Sequence, residues 1–131
     1  MQPALMGSLR YPEMRANLRA FTESLADQAY QKRIWIERQP SAAHDTFTDV
    51  VHFFYDDTRL ADDPDGCVGW FLRDAAEVGA VRALTSALDA LFVELGTEQP
   101  DEAYLQAPGW PWVVRRAEAL VALLGRSDGT A

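Results

Sequence analysis

Ala76-Glu77-Val78-Gly79-Ala80-Val81-Arg82-Ala83-Leu84-Thr85-Ser86-Ala87-Leu88-Asp89-Ala90-Leu91-Phe92-Val93-Glu94-Leu95 is the clearest helical pattern in the chain. Val78, Val81, Leu84, Leu88, Leu91, Phe92 and Leu95 fall within one broad stripe at about 100° per residue, which predicts a long amphipathic helix with one buried face. Gly96 is its natural stop. Downstream, Pro100 to Leu105 reads as a short helical turn, and Pro111 opens a last helix with Val113, Val114, Ala117, Leu120, Val121 and Leu124 on one face and Gly125 at its end. Upstream, Pro12 starts a helix from Glu13 to Ala26 whose apolar positions are Met14, Leu18, Phe21 and Leu25. From Asp27 to Glu37, Tyr30 and Ile34 fit a second helix, while Ile34-Trp35-Ile36 alternates as a short strand would; helix is the reading taken. Phe47, Val50, Val51 and Phe54 mark an amphipathic helix from Thr46 to near Thr58, with Thr46 and Asp49 spaced as a capping box. Gly66 to Arg73 is the other strand candidate, and a lone strand cannot satisfy its own backbone. The pattern therefore predicts an all-α fold, a single-domain bundle of four to five helices, with flexible ends at residues 1–10 and 125–131.

The chain has 131 residues, 48% of them hydrophobic and 24% charged, enough for one domain with a sizeable core. A single cysteine, Cys67, excludes an internal disulfide and a cysteine-rich zinc site, and points towards a reducing, cytoplasmic setting. The longest uninterrupted apolar run, Ala119 to Leu124, is far below the roughly 20 residues that span a bilayer, so no membrane association is expected. Twenty acids against twelve bases give a net charge of -8, which argues against nucleic acid and anionic membrane and suits a basic protein partner. The charge is uneven. Residues 45–65 hold seven acids and one base. The segments Gln39 to Ala43 and Ala61 to Gly66 have loop composition.

Asp45, Asp49, His52 and Asp56 fall within a sector of about 60° on the third helix, opposite its apolar face. His52 with Asp49 or Asp56 could bind a divalent metal or transfer a proton, but the pattern lacks the paired histidines of a strong metal site, and a solvated helix face is the ordinary reading. No metal or other cofactor is assigned. Asp57, Asp62, Asp63 and Asp65 extend the acidic surface. An EF-hand register with Gly66 in sixth place fails, because Ala61 and Leu72 stand where acidic ligands are required. Cys67 has only His44 and His52 as conceivable bases and reads as a buried structural thiol. Arg115-Arg116 and the pair Arg15 and Arg19 are too sparse for a nucleic-acid footprint, and Arg19 has Glu23 one turn on as a salt-bridge partner. Trp70, Trp110 and Trp112 are candidate aromatic anchors, against the plainer reading that they pack across the ends of the bundle.

Val68-Gly69-Trp70-Phe71-Leu72-Arg73-Asp74, Glu77-Val78, the long helix to Leu95-Gly96, Asp101-Glu102-Ala103-Tyr104-Leu105 and Pro108-Gly109-Trp110-Pro111 together resemble a family of small acidic actinobacterial all-α proteins of uncharacterised function. Phe47-Thr48-Asp49 and Asp56-Asp57-Thr58 are similar to it as well. The resemblance implies no established activity, cofactor or catalytic set. In charge and scale the chain is also similar to immunity proteins that neutralise secreted bacterial toxins.

The leading expectation is a non-catalytic, protein-binding domain whose acidic surface from Asp45 to Asp65 meets a basic partner, with toxin neutralisation as one concrete form. The alternatives are a small hydrolase or lyase using His52 with Asp49 and Asp56, and a small-molecule-binding bundle with Trp70, Trp110 and Phe54 around an apolar cavity. Trp112 with Leu123 on one flank could also form the seam of a homodimer.

Overall fold

A computed structural model describes residues 9–38 and 46–129. Asp45, His44 and the linker Gln39 to Ala43 lie outside the described residues. The described chain is all-helical: α1 is Pro12–Ala26; α2 begins as Gln28–Tyr30 and continues as a π-helix over Gln31–Ile36; α3 begins as Phe47–His52 and continues as a π-helix over Phe53–Asp57. A single 3-10 turn, Pro64–Cys67, follows. Then come α4, Ala75–Leu95, α5, Asp101–Leu105, and α6, Trp110–Ser127. Gly66 to Arg73 is no strand: the Gly69 N–H donates to Leu72 O at 2.8 Å and the Leu72 N–H to Cys67 O at 3.1 Å, so the segment closes on itself. Gly69 takes φ 88°, which the turn needs and a side chain would strain.

The helix ends are chemically specified. Asp27 accepts from the Tyr30 N–H, and Asp74 from the Glu77 N–H, each as an N-cap. Thr46 and Asp49 form the reciprocal capping box, and Asp101, brought from α5, accepts from the Phe47 N–H at 3.3 Å. Gly96 ends α4 at φ 79°. α6 runs two residues past the stop expected at Gly125, which is itself buried.

The three long helices pack as a layer with α6 between α1 and α4. Leu18, Leu25, Val81, Leu84, Leu88, Val113, Ala117, Leu120 and Leu124 fill the space between them without exposure. A second part of the same core is aromatic: Phe47 and Trp110 meet edge to face at 5.3 Å, Trp35 and Trp110 at 6.3 Å, and Phe47 lies 5.1 Å from Tyr104. The buried Gln31 joins the layers, its amide donating to Ser24 O and Leu25 O at 2.9 Å while its oxygen accepts from Trp110 Nε1 at 3.0 Å.

One charged cluster lies inside this frame. Arg15 on α1 makes two 2.9 Å bonds to the fully buried carboxylate of Glu77 on α4, and a third 2.9 Å bond to Phe71 O. Its Nε donates to Asp128 at 2.9 Å, and the Arg73 and Arg19 guanidinia reach the same carboxylate at 3.1 and 3.4 Å. Arg19 therefore pairs with Asp128 across the fold, where Glu23 was expected. Burial alone would push the Glu77 carboxyl up, but the Arg15 guanidinium, the Arg73 N–H and the Ser127 hydroxyl outweigh it and hold it below the usual value.

Candidate functional site

Two concavities share Asp56, which lies on the π-helical second half of α3. The first, of about 640 Å³, lies where the start of α1 meets the Pro64–Cys67 turn and the loop after it; it is lined by Tyr11, Met14, Asp56, Asp57, Asp63 and Trp70, among others. Backbone bonds position its aromatic wall: the Arg10 N–H donates to Gly69 O at 3.1 Å and the Tyr11 N–H to Trp70 O at 2.8 Å. The Tyr11 and Trp70 rings then meet edge to face at 5.5 Å while remaining 41% and 43% exposed. Large aromatic surface left in water is favourable for a cation, and Arg10 shows it: its guanidinium sits 5.7 Å from the Tyr11 ring centre and 5.9 Å from that of Trp70. Arg59 is the basic residue on the lining.

The second concavity, of about 670 Å³, lies between α3 and α4 and includes Val51, His52, Tyr55, Asp89, Phe92 and Val93. His52 Nδ1 and Asp56 Oδ2 are 2.5 Å apart, with both side chains more than half exposed. The Tyr55 hydroxyl donates to Asp89 at 2.5 Å, and burial first, then that carboxylate, pushes its ionisation up.

These positions sort the expected residues. Asp49 is committed to the cap of α3, so His52 has Asp56 as its carboxylate partner and the trio His52, Asp49, Asp56 reduces to a pair. Asp57 and Asp62 are exposed, Asp63 caps Gly66 at 3.2 Å, and Asp65 pairs with Arg82. Among the described residues no group of three or more His, Cys, Asp or Glu is placed to hold a metal ion, and no helix is long and apolar enough to cross a membrane. Cys67 is buried, and desolvation first, then the Asp63 carboxylate, raises its thiol and so disfavours the thiolate.

Of the three candidate anchors, Trp110 is 1% exposed and belongs to the core; as the first residue of α6 it turns inward onto Trp35 and Phe47 rather than outward. Phe54 is also fully buried, and the groove that Trp70 lines includes neither of them. Trp112 is 54% exposed, with Arg115 and Arg116 over its ring at 5.3 and 5.8 Å.

Residues 9–131 match the model of a family described as a domain of unknown function, DUF7945. The chain belongs to this family. No curated protein and no solved structure matches it. Within the family's span lie both concavities and two features that the sequence reading passed over, the Tyr11 wall and the Tyr55 and Asp89 pair. Tyr11 precedes the helix-opening Pro12 and carries no periodic signal; Tyr55 and Asp89 are 34 residues apart on different helices, and only the packing of α3 on α4 joins them.

Proposed function

We propose that this chain is a non-catalytic protein-binding domain, a single-domain helical bundle whose acidic face takes up a basic segment of a partner protein; neutralising a basic toxin is its concrete form, and a cytoplasmic setting fits it. The observation that carries this reading is one concavity lined by the exposed Tyr11 and Trp70 rings together with Asp56, Asp57 and Asp63. Carboxylates raise the rate at which a cationic surface arrives, and an aromatic wall retains a guanidinium or ammonium once it is there. Asp57 and Asp62 are exposed, so reversing their charge leaves the helix caps and the Arg15 cluster intact.

The test is affinity capture from the native cell at low and high salt, with the natural chain and with the double variant Asp57→Lys, Asp62→Lys. A specific protein held by the natural chain at low salt, released at high salt and lost by the variant supports the reading. A protein held equally by both chains overturns it.

A further inference from the structure

The groove between α3 and α4 carries a second recognition chemistry that partner binding at Trp70 does not use. Its floor is a run of touching rings: Phe92 lies 5.8 Å from Tyr55, 5.7 Å from Tyr104 and 6.2 Å from Phe47. Val93 at its lip is 88% exposed, apolar surface that a ligand's body would remove from water. None of the residues lining the groove is Lys or Arg, while Asp56 and Asp89 both stand on it. The Tyr55 hydroxyl donates to Oδ1 of Asp89, so one oxygen of this exposed carboxylate is held while Oδ2 keeps its capacity to accept from an incoming donor. At about 670 Å³ the space is of the size that takes a small organic molecule.

We propose that this groove binds a small monocationic amine with an aromatic or branched aliphatic body, its ammonium against Asp89 and its body over Phe92 and Val93. Charge sign selects the ligand: the ammonium pairs with the Asp89 carboxylate, which a neutral or anionic analogue of the same shape cannot do, while the rings take up the apolar body.

The test is a two-dimensional NMR titration of the full chain with phenethylammonium, 2-phenylethanol and 3-phenylpropionate as probes of similar body and different charge. The ammonium probe shifts the Val51, Val93 and Thr97 resonances saturably, the alcohol binds more weakly and the carboxylate does not bind. Asp89→Asn, an exposed replacement that retains an acceptor for Tyr55, weakens the ammonium probe by about tenfold, while Asp65→Asn leaves it unchanged. Absence of saturable shifts at those three residues, equal binding of the carboxylate probe, or an Asp89→Asn titration like that of the natural chain overturns the proposal.

Discussion

Arg15 and Glu77 each sit on the apolar stripe of their own helix: Arg15, Leu18, Thr22, Ser24 and Leu25 are the buried positions of α1, and Glu77, Val81, Leu84 and Leu88 belong to the buried face of α4. One lone charge of opposite sign on each of two stripes was therefore a readable sign of a buried ion pair. The stripe read as Met14, Leu18, Phe21 and Leu25 concealed it, because Met14 and Phe21 are only half-buried and the inward face is rotated towards Arg15. Removing the Glu77 charge leaves the buried Arg15 guanidinium with Asp128 as its remaining carboxylate, so Glu77→Gln lowers stability by up to about 3 kcal/mol at neutral pH in urea unfolding. The carboxyl is held below its ordinary value, so its contribution is complete above about pH 4.3, where the unfolded chain's glutamate is ionised, and is lost as pH falls through the lower folded value. The stability gap between the natural chain and Glu77→Gln accordingly narrows below pH 4; a gap independent of pH contradicts the assignment. At the same scale, Gln31→Leu leaves the Trp110 indole N–H without its buried acceptor and costs about 1–3 kcal/mol by the same measurement.

The elements themselves were largely written in the periodicity. α1, α4 and α5 start and stop within a residue or two of where their apolar spacing, prolines and Gly96 place them, and the capping box of α3 is formed by the two residues whose spacing announces it. What spacing does not reveal is winding: α2 and α3 both pass into π-helix, and in α3 this buries the neighbours Phe53 and Phe54 together. Nor does it reveal the end of α6, since Gly125 is an ordinary helix stop that here lies inside the packed helix, followed by an Asp128 held by arginines from α1 and from the loop before α4. Thr46→Ala removes one half of the α3 cap and costs about 1 kcal/mol, read as a fall in the thermal midpoint of a few degrees. Because α3 supplies the wall shared by both concavities, the same variant loosens His52 and Asp56, visible as faster amide hydrogen exchange across Phe47–His52.

For the molecule as a whole, the sequence identified the acidic segment but not the surface it makes. Asp56, Asp57 and Asp63 line one concavity with Tyr11 and Trp70, and Tyr11 joins that lining through the backbone bond that ties it to the loop around Trp70. A composition count weights all seven acids of residues 45–65 alike; among the described ones, Asp49 and Asp63 accept at caps, Asp65 pairs with Arg82 and Asp56 with His52, while Asp57 and Asp62 stand exposed. Replacing Trp70 by Ala removes half of the aromatic wall without touching the core, and should speed dissociation of a captured partner about tenfold while its arrival rate stays the same. Charge acts on arrival instead. The most direct measurement is the association rate constant of the captured partner against ionic strength, for the natural chain and for Asp57→Lys, Asp62→Lys. A steep fall with salt for the natural chain, and a slower, nearly flat dependence for the variant, is the predicted result. Identical salt slopes for the two chains would contradict it.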